Sequence, residues 1–346
     1  MLGGILLVAL GSFSAATFYV PISKAKNIAW EVYWLMAGIF SWLIVPLLVA
    51  YFTVPNLFGL YGSIDNSAFM WPFIFGALWG VGSLTYGMTL RYLGVSLGIA
   101  VANGIISVFG TLIPPIYEHG FGALVESPAS IVSLVGVLIS VVGIAFMGMA
   151  GISKEKDLSA GVSKSKEKKS EFNLKLGLIV ALVSGVMSAC FSFGLKAAKP
   201  IAQAAVNNGT DPLFQGNAGL CVILFGGLLV NAAYCIFKGL QNKTSGDWVK
   251  TKNTPVLRNW IFLIFGGSLW YFQMMFLEMG KSRMGNLDYT AWAILMSLAI
   301  VFSTAWGFYD GEWKGVSKKT LTFVFAGLAL LILSAIIIGI GPNMVQ

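Results

Sequence analysis

Charge is what this sequence has least of. Only 36 of its 346 residues are Asp, Glu, Lys or Arg, where a soluble domain carries about a quarter. A water-soluble globular fold is therefore excluded. The single histidine, His119, stands in a loop with no second His or Cys near it, so no metal site is expected. Three cysteines, Cys190, Cys221 and Cys235, are widely spaced in apolar stretches. Such a set makes no disulfide framework and reads as small buried hydrophobes. A phosphate loop and a nucleotide-binding domain are lacking, and so is an intramembrane acid–base or metal cluster. The chain is expected to be no enzyme, to hold no cofactor, and to draw energy from an ion gradient rather than from ATP.

What is present is long apolar sequence. Ten charge-free windows remain: 1–23, 32–64, 66–90, 92–117, 127–153, 176–195, 212–237, 259–277, 289–309 and 320–346. About 20 apolar residues cross a bilayer as a helix, so ten spanning helices are expected. A transmembrane barrel would need short strands of alternating polarity, which these windows do not show. The first window has no basic stretch before it and reads as a span rather than a cleaved signal.

The basic residues set the orientation. Loops between windows 1–2, 3–4, 5–6, 7–8 and 9–10 hold 18 of the 22 Lys and Arg; the other four loops hold 4. The positive-inside rule places the first group in the cytoplasm and both termini outside. The net charge of +8 then belongs to the cytoplasmic membrane surface and not to a nucleic-acid site. Seven Lys between Lys154 and Lys175, mixed with four acids, read as a solvated linker.

One sentence is written twice. "GALWGVGSLTYGMTLRYLG" begins at Gly76, and "GGSLWYFQMMFLEMGKSRMG" begins at Gly266. A constant shift of 191 maps Gly76 to Gly267, Trp79 to Trp270 and Gly94 to Gly285. A weaker echo links Gly11–Ala16 to Gly185–Cys190. Five windows separate the equivalents, so the second copy enters the membrane inverted. Inverted repeats are the build of many secondary transporters, with substrate near the midplane. The expected organisation is a first five-helix repeat at 1–152, a charged linker at 153–173, and a second repeat at 174–346. Lys196 and Lys199, exceptions to the charge rule, read as inverted counterparts of Lys24 and Lys26.

The chain resembles the L-rhamnose–proton symporters of the drug/metabolite transporter superfamily. The stretches that carry this are "SAATFYVPISKAKNIAWEVYW", "FGALWGVGSLTYGMTLRYLGVSLGIA", "AAKPIAQAA" with "DPLF", "GGSLWYFQ", "LDYTAW" and "EWKG", in order over nearly the whole chain. The resemblance implies the drug/metabolite transporter fold of ten helices, and uptake of L-rhamnose with protons across a bacterial inner membrane. Lys196, Glu278, Asn103 and Asn217 depart from the pattern and bear on the identity of the sugar. The alternative within transport is an exporter or exchanger of another small neutral metabolite.

A neutral hexose offers hydroxyls and one flat C–H face, so its site needs an aromatic platform and a few neutral donors and acceptors. Trp79 and Trp270 fall near the middle of their windows. Trp79, Gly82, Ser83 and Tyr86 share one helical face, as do Trp270 and Gln273. Ser14, Ser188 and Tyr289 complete the candidate substrate set, with Asn103 and Asn231 as polar groups that can instead join helices. The structural reading for each Ser is a bond to its own backbone, and for each Trp simple packing. For the proton, Asp288 is the first candidate, sharing a face with Trp292; its structural alternative is a helix N-cap. Glu31 is the second, as carrier or as a gate paired with Lys24, Lys26 or Arg91. Glu278 is expected to pair with Lys281, and Asp310 and Glu312 to be solvated.

Overall fold

The structure, a computed structural model, describes residues 2–93, 95–159, 173–250 and 255–344. Ten long helices dominate these residues: α1 (Leu2–Thr17), α2 (Trp30–Thr53), α3 (Ser67–Leu93), α4 (Val95–His119), α5 (Pro128–Ser159), α6 (Leu174–Ala197), α7 (Asn217–Asn242), α8 (Val256–Lys281), α9 (Ala291–Tyr309) and α10 (Lys318–Met344). A 26-residue helix such as α7 or α8 is about 39 Å long at about 1.5 Å per residue, enough to span a bilayer. Nine helices among the described residues are long and apolar enough to do so. The exception is α4, a 25-residue helix whose apolar stretch, Val101–Ile113, is shorter.

Polarity is inverted relative to a soluble protein. Leu6, Leu229, Phe265 and Leu333 are exposed, while Ser12, Ser188, Asn231 and Gln273 are buried. Hydrocarbon on the outside selects this arrangement, because helices satisfy their backbone groups internally and leave apolar side chains for lipid.

Three boundaries differ from the charge-free windows. The second window does not cross as one rod: α2 stops at Thr53, Pro55 follows, and Asn56 adopts a left-handed φ of 47°. A short helix, Leu57–Ser63, then turns back against α7, where the Tyr61 hydroxyl donates to the Ala218 carbonyl at 2.8 Å. Charge alone cannot mark such a turn, because Val54-Pro55 is apolar. The expected linker 153–173 loses its first residues to α5, which runs to Ser159; residues 160–172 lie outside the described residues. Before α9, residues Gly285–Thr290 form a 3-10 turn.

Hydrogen bonds sort the connections onto two faces. On one face, Lys26 and Asn259 exchange bonds of 3.1 and 2.9 Å, and Ala29 N–H donates to Asp247 at 2.8 Å. Asn173 N–H donates to the Tyr92 carbonyl there, and Lys154 pairs with Glu312 at 3.1 Å. On the other face, Asn208 donates to the Pro55 carbonyl, and Asn217 donates to Thr53 at 2.9 Å. The first set of bonds runs only between connections that belong to the group holding 18 of the 22 Lys and Arg.

Packing crosses the middle of the chain. Helix α3 lies along α6 and α7, while α8 lies along α1 and α2. Likewise α4 packs on α6 and α9 on α1, with α5 against α10.

Candidate functional site

Trp79 on α3 and Trp270 on α8 meet at the centre of the bundle. Their ring centroids are 5.4 Å apart and their planes are inclined by 37°. A third indole, Trp42, stands edge-on to both, at 5.7 and 5.8 Å with planes at 86°. It lies in a π turn, Phe40–Ile44, within α2. A π turn inserts one residue into the helix and re-aims the side chains around it, a distortion common at functional sites. Phe191 of α6 packs on Trp79 at 5.3 Å, and Trp292 of α9 stacks on Phe191 at 6.0 Å. Trp34 extends the set from Trp42 at 6.0 Å. These six rings form one column, fed by helices α2, α3, α6, α8 and α9.

Polar atoms without partners surround the column. Trp42 Nε1, Trp292 Nε1 and the Tyr271 hydroxyl are buried and make no hydrogen bond among the described residues. The buried side chains of Ser14, Ser188 and Gln273 are also unbonded among the described residues. The contrast with nearby serines is informative: Ser12 and Ser41 donate to backbone carbonyls one turn back, at 2.8 and 2.9 Å. An unsatisfied buried donor or acceptor costs about 1–3 kcal/mol. Three such atoms, two on rings of the column and one on Tyr271 next to Trp270, mark a place for a polar ligand with an apolar face.

Other sequence candidates are otherwise engaged. Ser83 donates to the Gly80 carbonyl at 2.8 Å and bonds Asn231. Asn231 also accepts from Trp34 Nε1 at 3.1 Å and donates to the Gly227 carbonyl at 2.9 Å. Its amide thus ties α2, α3 and α7 together, and the Ser83 hydroxyl is consumed in that tie. Tyr86 donates to Asn103 at 3.2 Å, joining α3 to α4.

Asp288 lies in the 3-10 turn rather than at the α9 N-cap, which is Thr290. It is half-buried and lines a cavity of about 20 Å³ together with Tyr289, Trp292, Gly110, Ser192, Lys196 and Lys281. Asp288 and Trp292, expected on one helical face, border one cavity although Asp288 precedes the helix. Tyr289 is in this cavity, beside Ser130 and Ser133, and not in the indole column. Glu278 pairs with Lys281 at 2.7 Å, as expected.

Glu31 is buried at the opposite end of the bundle, in a cavity of about 190 Å³ shared with Cys235 and Trp248. Its Oε1 accepts from Asn242 at 3.0 Å and from Thr244 at 2.7 Å. Its hydrogen-bond partners are thus neutral groups at the end of α7, whereas Lys24 lies 5.9 Å over the Phe262 ring. The side chains of Arg91 and His119 lie outside the described residues. Trp42, Phe191 and Tyr271 were not singled out by sequence. The second window held the one usable signal, Trp42 beside Ser41 far from any charge, but no Trp in α7 echoes it.

A helical bundle with lipid-facing apolar walls, a central aromatic column ringed by unpartnered polar atoms, and a charged cavity towards each end is a multi-pass membrane transport protein, not an enzyme. The family model for L-rhamnose-proton symport protein (RhaT) matches residues 1–344. The chain belongs to that family. It is 37% identical to an L-rhamnose-proton symporter of Pectobacterium atrosepticum, over 96% of this chain and 95% of that one. A symporter of the same name from Mannheimia succiniciproducens is 37% identical, covering 98% and 99%. One from Escherichia coli K12 is 35% identical, covering 98% and 97%.

Proposed function

We propose that this protein carries L-rhamnose into the cell together with protons, by alternating access between two inverted five-helix halves. The observation that carries the reading is the aromatic column with its unpartnered polar atoms, in a chain whose relatives are L-rhamnose-proton symporters. A 6-deoxyhexose suits it: C–H faces stack on indole, and hydroxyl oxygens accept from Trp42 Nε1, the Tyr271 hydroxyl and the Gln273 amide.

The halves are 1–152 and 174–346, joined by the linker 153–173, and α4 is the tenth span. Pairwise packing supports the inversion, since α3 against α6 and α7 corresponds to α8 against α1 and α2. Gly76 and Gly267 repeat this in detail. A Cβ on Gly76 would strike the Ile223 carbonyl of α7, and one on Gly267 the Ala37 carbonyl of α2. Each repeat-related glycine thus lets a third helix close on the second helix of the other half. The lysine-rich face is cytoplasmic, which leaves both termini outside the inner membrane.

Trp79 and Trp270 touch each other, so sugar enters by parting them. Trp79, Trp270, Gln273, Ser14 and Ser188 contact the sugar, Asp288 carries the proton near the outer mouth, and Glu31 closes the inner one. Lys24, Arg91, Ser83 and Tyr289 have supporting roles at the mouths and helix contacts.

Proteoliposomes test the reading. An inward-driving proton gradient should accumulate radiolabelled L-rhamnose and a protonophore should abolish this. One proton per sugar is worth about 2.3 kcal/mol per 100 mV, or about fifty-fold accumulation. Accumulation indifferent to the protonophore, or preference for a hexose bearing a 6-hydroxyl, would defeat it.

A further inference from the structure

We propose that a groove between α2, α3 and α7 seats one acyl chain of a membrane phospholipid, and that the seated chain braces Trp42 against the Trp79–Trp270 pair. Lipid and sugar then oppose one another through Trp42. This second half rests on the reading of the column as the sugar site.

The groove has a volume of about 520 Å³. Leu43 and Leu47 of α2 form one wall, Phe69 and Phe73 of α3 another, and Val222 and Phe225 of α7 a third. Each pair is three or four residues apart, so each helix turns a single face to the space. A Cβ on Gly226 would strike the Phe73 carbonyl, so α3 and α7 touch at one end of the groove. There the Phe73 and Phe225 rings meet at 6.3 Å. At the other end stands the short helix Leu57–Ser63, with the Tyr61 ring edge-on to Phe69 at 5.7 Å.

The depth of the groove suits one leaflet. Asn66, just before α3, marks its mouth on the side of the Asn208–Pro55 contact, and Trp42 lies midway along the span Trp30–Thr53. From Asn66 to Phe73 the helical rise is about 10 Å, against about 15 Å for half of the bilayer hydrocarbon.

Surroundings and walls select the same occupant. Met70 and Phe225 on the rim are 50% and 40% exposed, so the groove is continuous with the lipid-facing surface. An unfilled space of this size forfeits the dispersion contacts of its walls. Water needs two to four polar partners. The Tyr61 hydroxyl is already given to the Ala218 carbonyl and Trp42 Nε1 is buried, which leaves the Asn66 amide and the Cys221 thiol. A sugar fails here for the same reason. Hydrocarbon fits.

Trp42 connects the groove to the column. It borders the groove and stands edge-on to Trp79 and Trp270, at 5.7 and 5.8 Å. Those two indoles touch, so they part for a sugar only if Trp42 yields. The groove is the space that Trp42 borders outside the column, and an acyl chain there denies it that room. The coupling is reciprocal: bound sugar must loosen the chain as much as the chain weakens sugar binding.

Photolabelling tests both halves. The protein is reconstituted in vesicles of phosphatidylethanolamine and phosphatidylglycerol, with a trace of phosphatidylethanolamine bearing a diazirine in one acyl chain. Adducts are mapped by mass spectrometry after irradiation. The groove walls should carry severalfold more label than Leu229 and Leu333, which face lipid elsewhere. Val222→Trp and Leu47→Trp fill the groove from opposite walls, and either one that inserts should lose groove label while keeping label at Leu333. Uniform labelling, or groove label that survives both substitutions, overturns the seat. An unlabelled groove in a protein that sediments as a dimer seats a second copy there and also overturns it. Saturating L-rhamnose should lower groove label severalfold in wild type. Groove label indifferent to sugar, in protein that binds it, overturns the brace. Wild-type sugar affinity in both Trp270→Ala and Gln273→Ala removes the reading of the column instead, and leaves the seat to stand on its label.

Discussion

Trp79 and Trp270 stand 191 positions apart in the chain and 5.4 Å apart in the fold. That distance is normal for an aromatic pair, and no sugar ring fits between the two indoles. The structure therefore holds the platform folded upon itself, with Trp42 edge-on to both.

Trp270→Ala and Gln273→Ala should each weaken L-rhamnose binding by about 1–3 kcal/mol, or about one to two decades in Kd. Neither should impair insertion, because the Gln273 amide makes no hydrogen bond among the described residues. Titration calorimetry or a scintillation proximity assay on purified protein reads this directly. Wild-type affinity in both variants would place the sugar away from the column.

Asn231 should behave in the opposite way. Its amide is fully used by Trp34, Ser83, Gly80 and Gly227. Asn231→Leu leaves the Trp34 N–H without its acceptor and should cost about 2–4 kcal/mol of stability. Thermal unfolding in detergent should shift down while the affinity of the remaining folded protein stays close to wild type. An unchanged Tm with lost affinity would make Asn231 a sugar contact.

Glu31 gives a third expectation. Its carboxylate holds Asn242, the last residue of α7, and Thr244 just beyond it. Glu31→Ala should loosen the cytoplasmic end, whereas Glu31→Gln retains an acceptor at Oε1 and should hold. The reporter is Cys235, buried in the same cavity. With Cys190 and Cys221 replaced by Ala, its maleimide labelling should be slow in wild type and Glu31→Gln, and markedly faster in Glu31→Ala. Equal rates in all three would deny Glu31 a closing role.

Orientation is checked in intact cells. A Cys placed after Met344 should react with an impermeant reagent, and one at Ser163 should not. The reverse pattern would invert the topology inferred from the 18-to-4 division of basic residues.

Much of this architecture was legible because lipid imposes simple rules. Charge-free windows marked nine helices long and apolar enough to span, and the Lys26–Asn259 and Asn208–Pro55 contacts each join two loops of one charge group. Trp79, Trp270 and the Glu278–Lys281 pair were visible from spacing alone. What escaped had no periodic signature. Trp42 owes its position to a π turn, and the turn at Val54-Pro55 is as apolar as the helix before it. Ser83 looked available until Asn231, 148 positions away, was seen to bond it. Glu31 invites pairing with Lys24, Lys26 or Arg91, but its hydrogen-bond partners are neutral and more than 200 positions distant.

The packing of early helices against late ones has a consequence for biosynthesis. Helix α3 finds its seat on α6 and α7, and α1 and α2 find theirs on α8. Translation delivers the first five helices to the bilayer before any of those seats exists. Until α6 and α7 emerge, the surfaces around Gly76 and Trp79 face lipid or the insertion machinery. A chain stalled in the lysine-rich segment is thus an orphan rather than a half-product, and quality-control proteolysis should dispose of it. Two separately expressed fragments divided within 160–172 should protect one another from that fate, and each expressed alone should vanish.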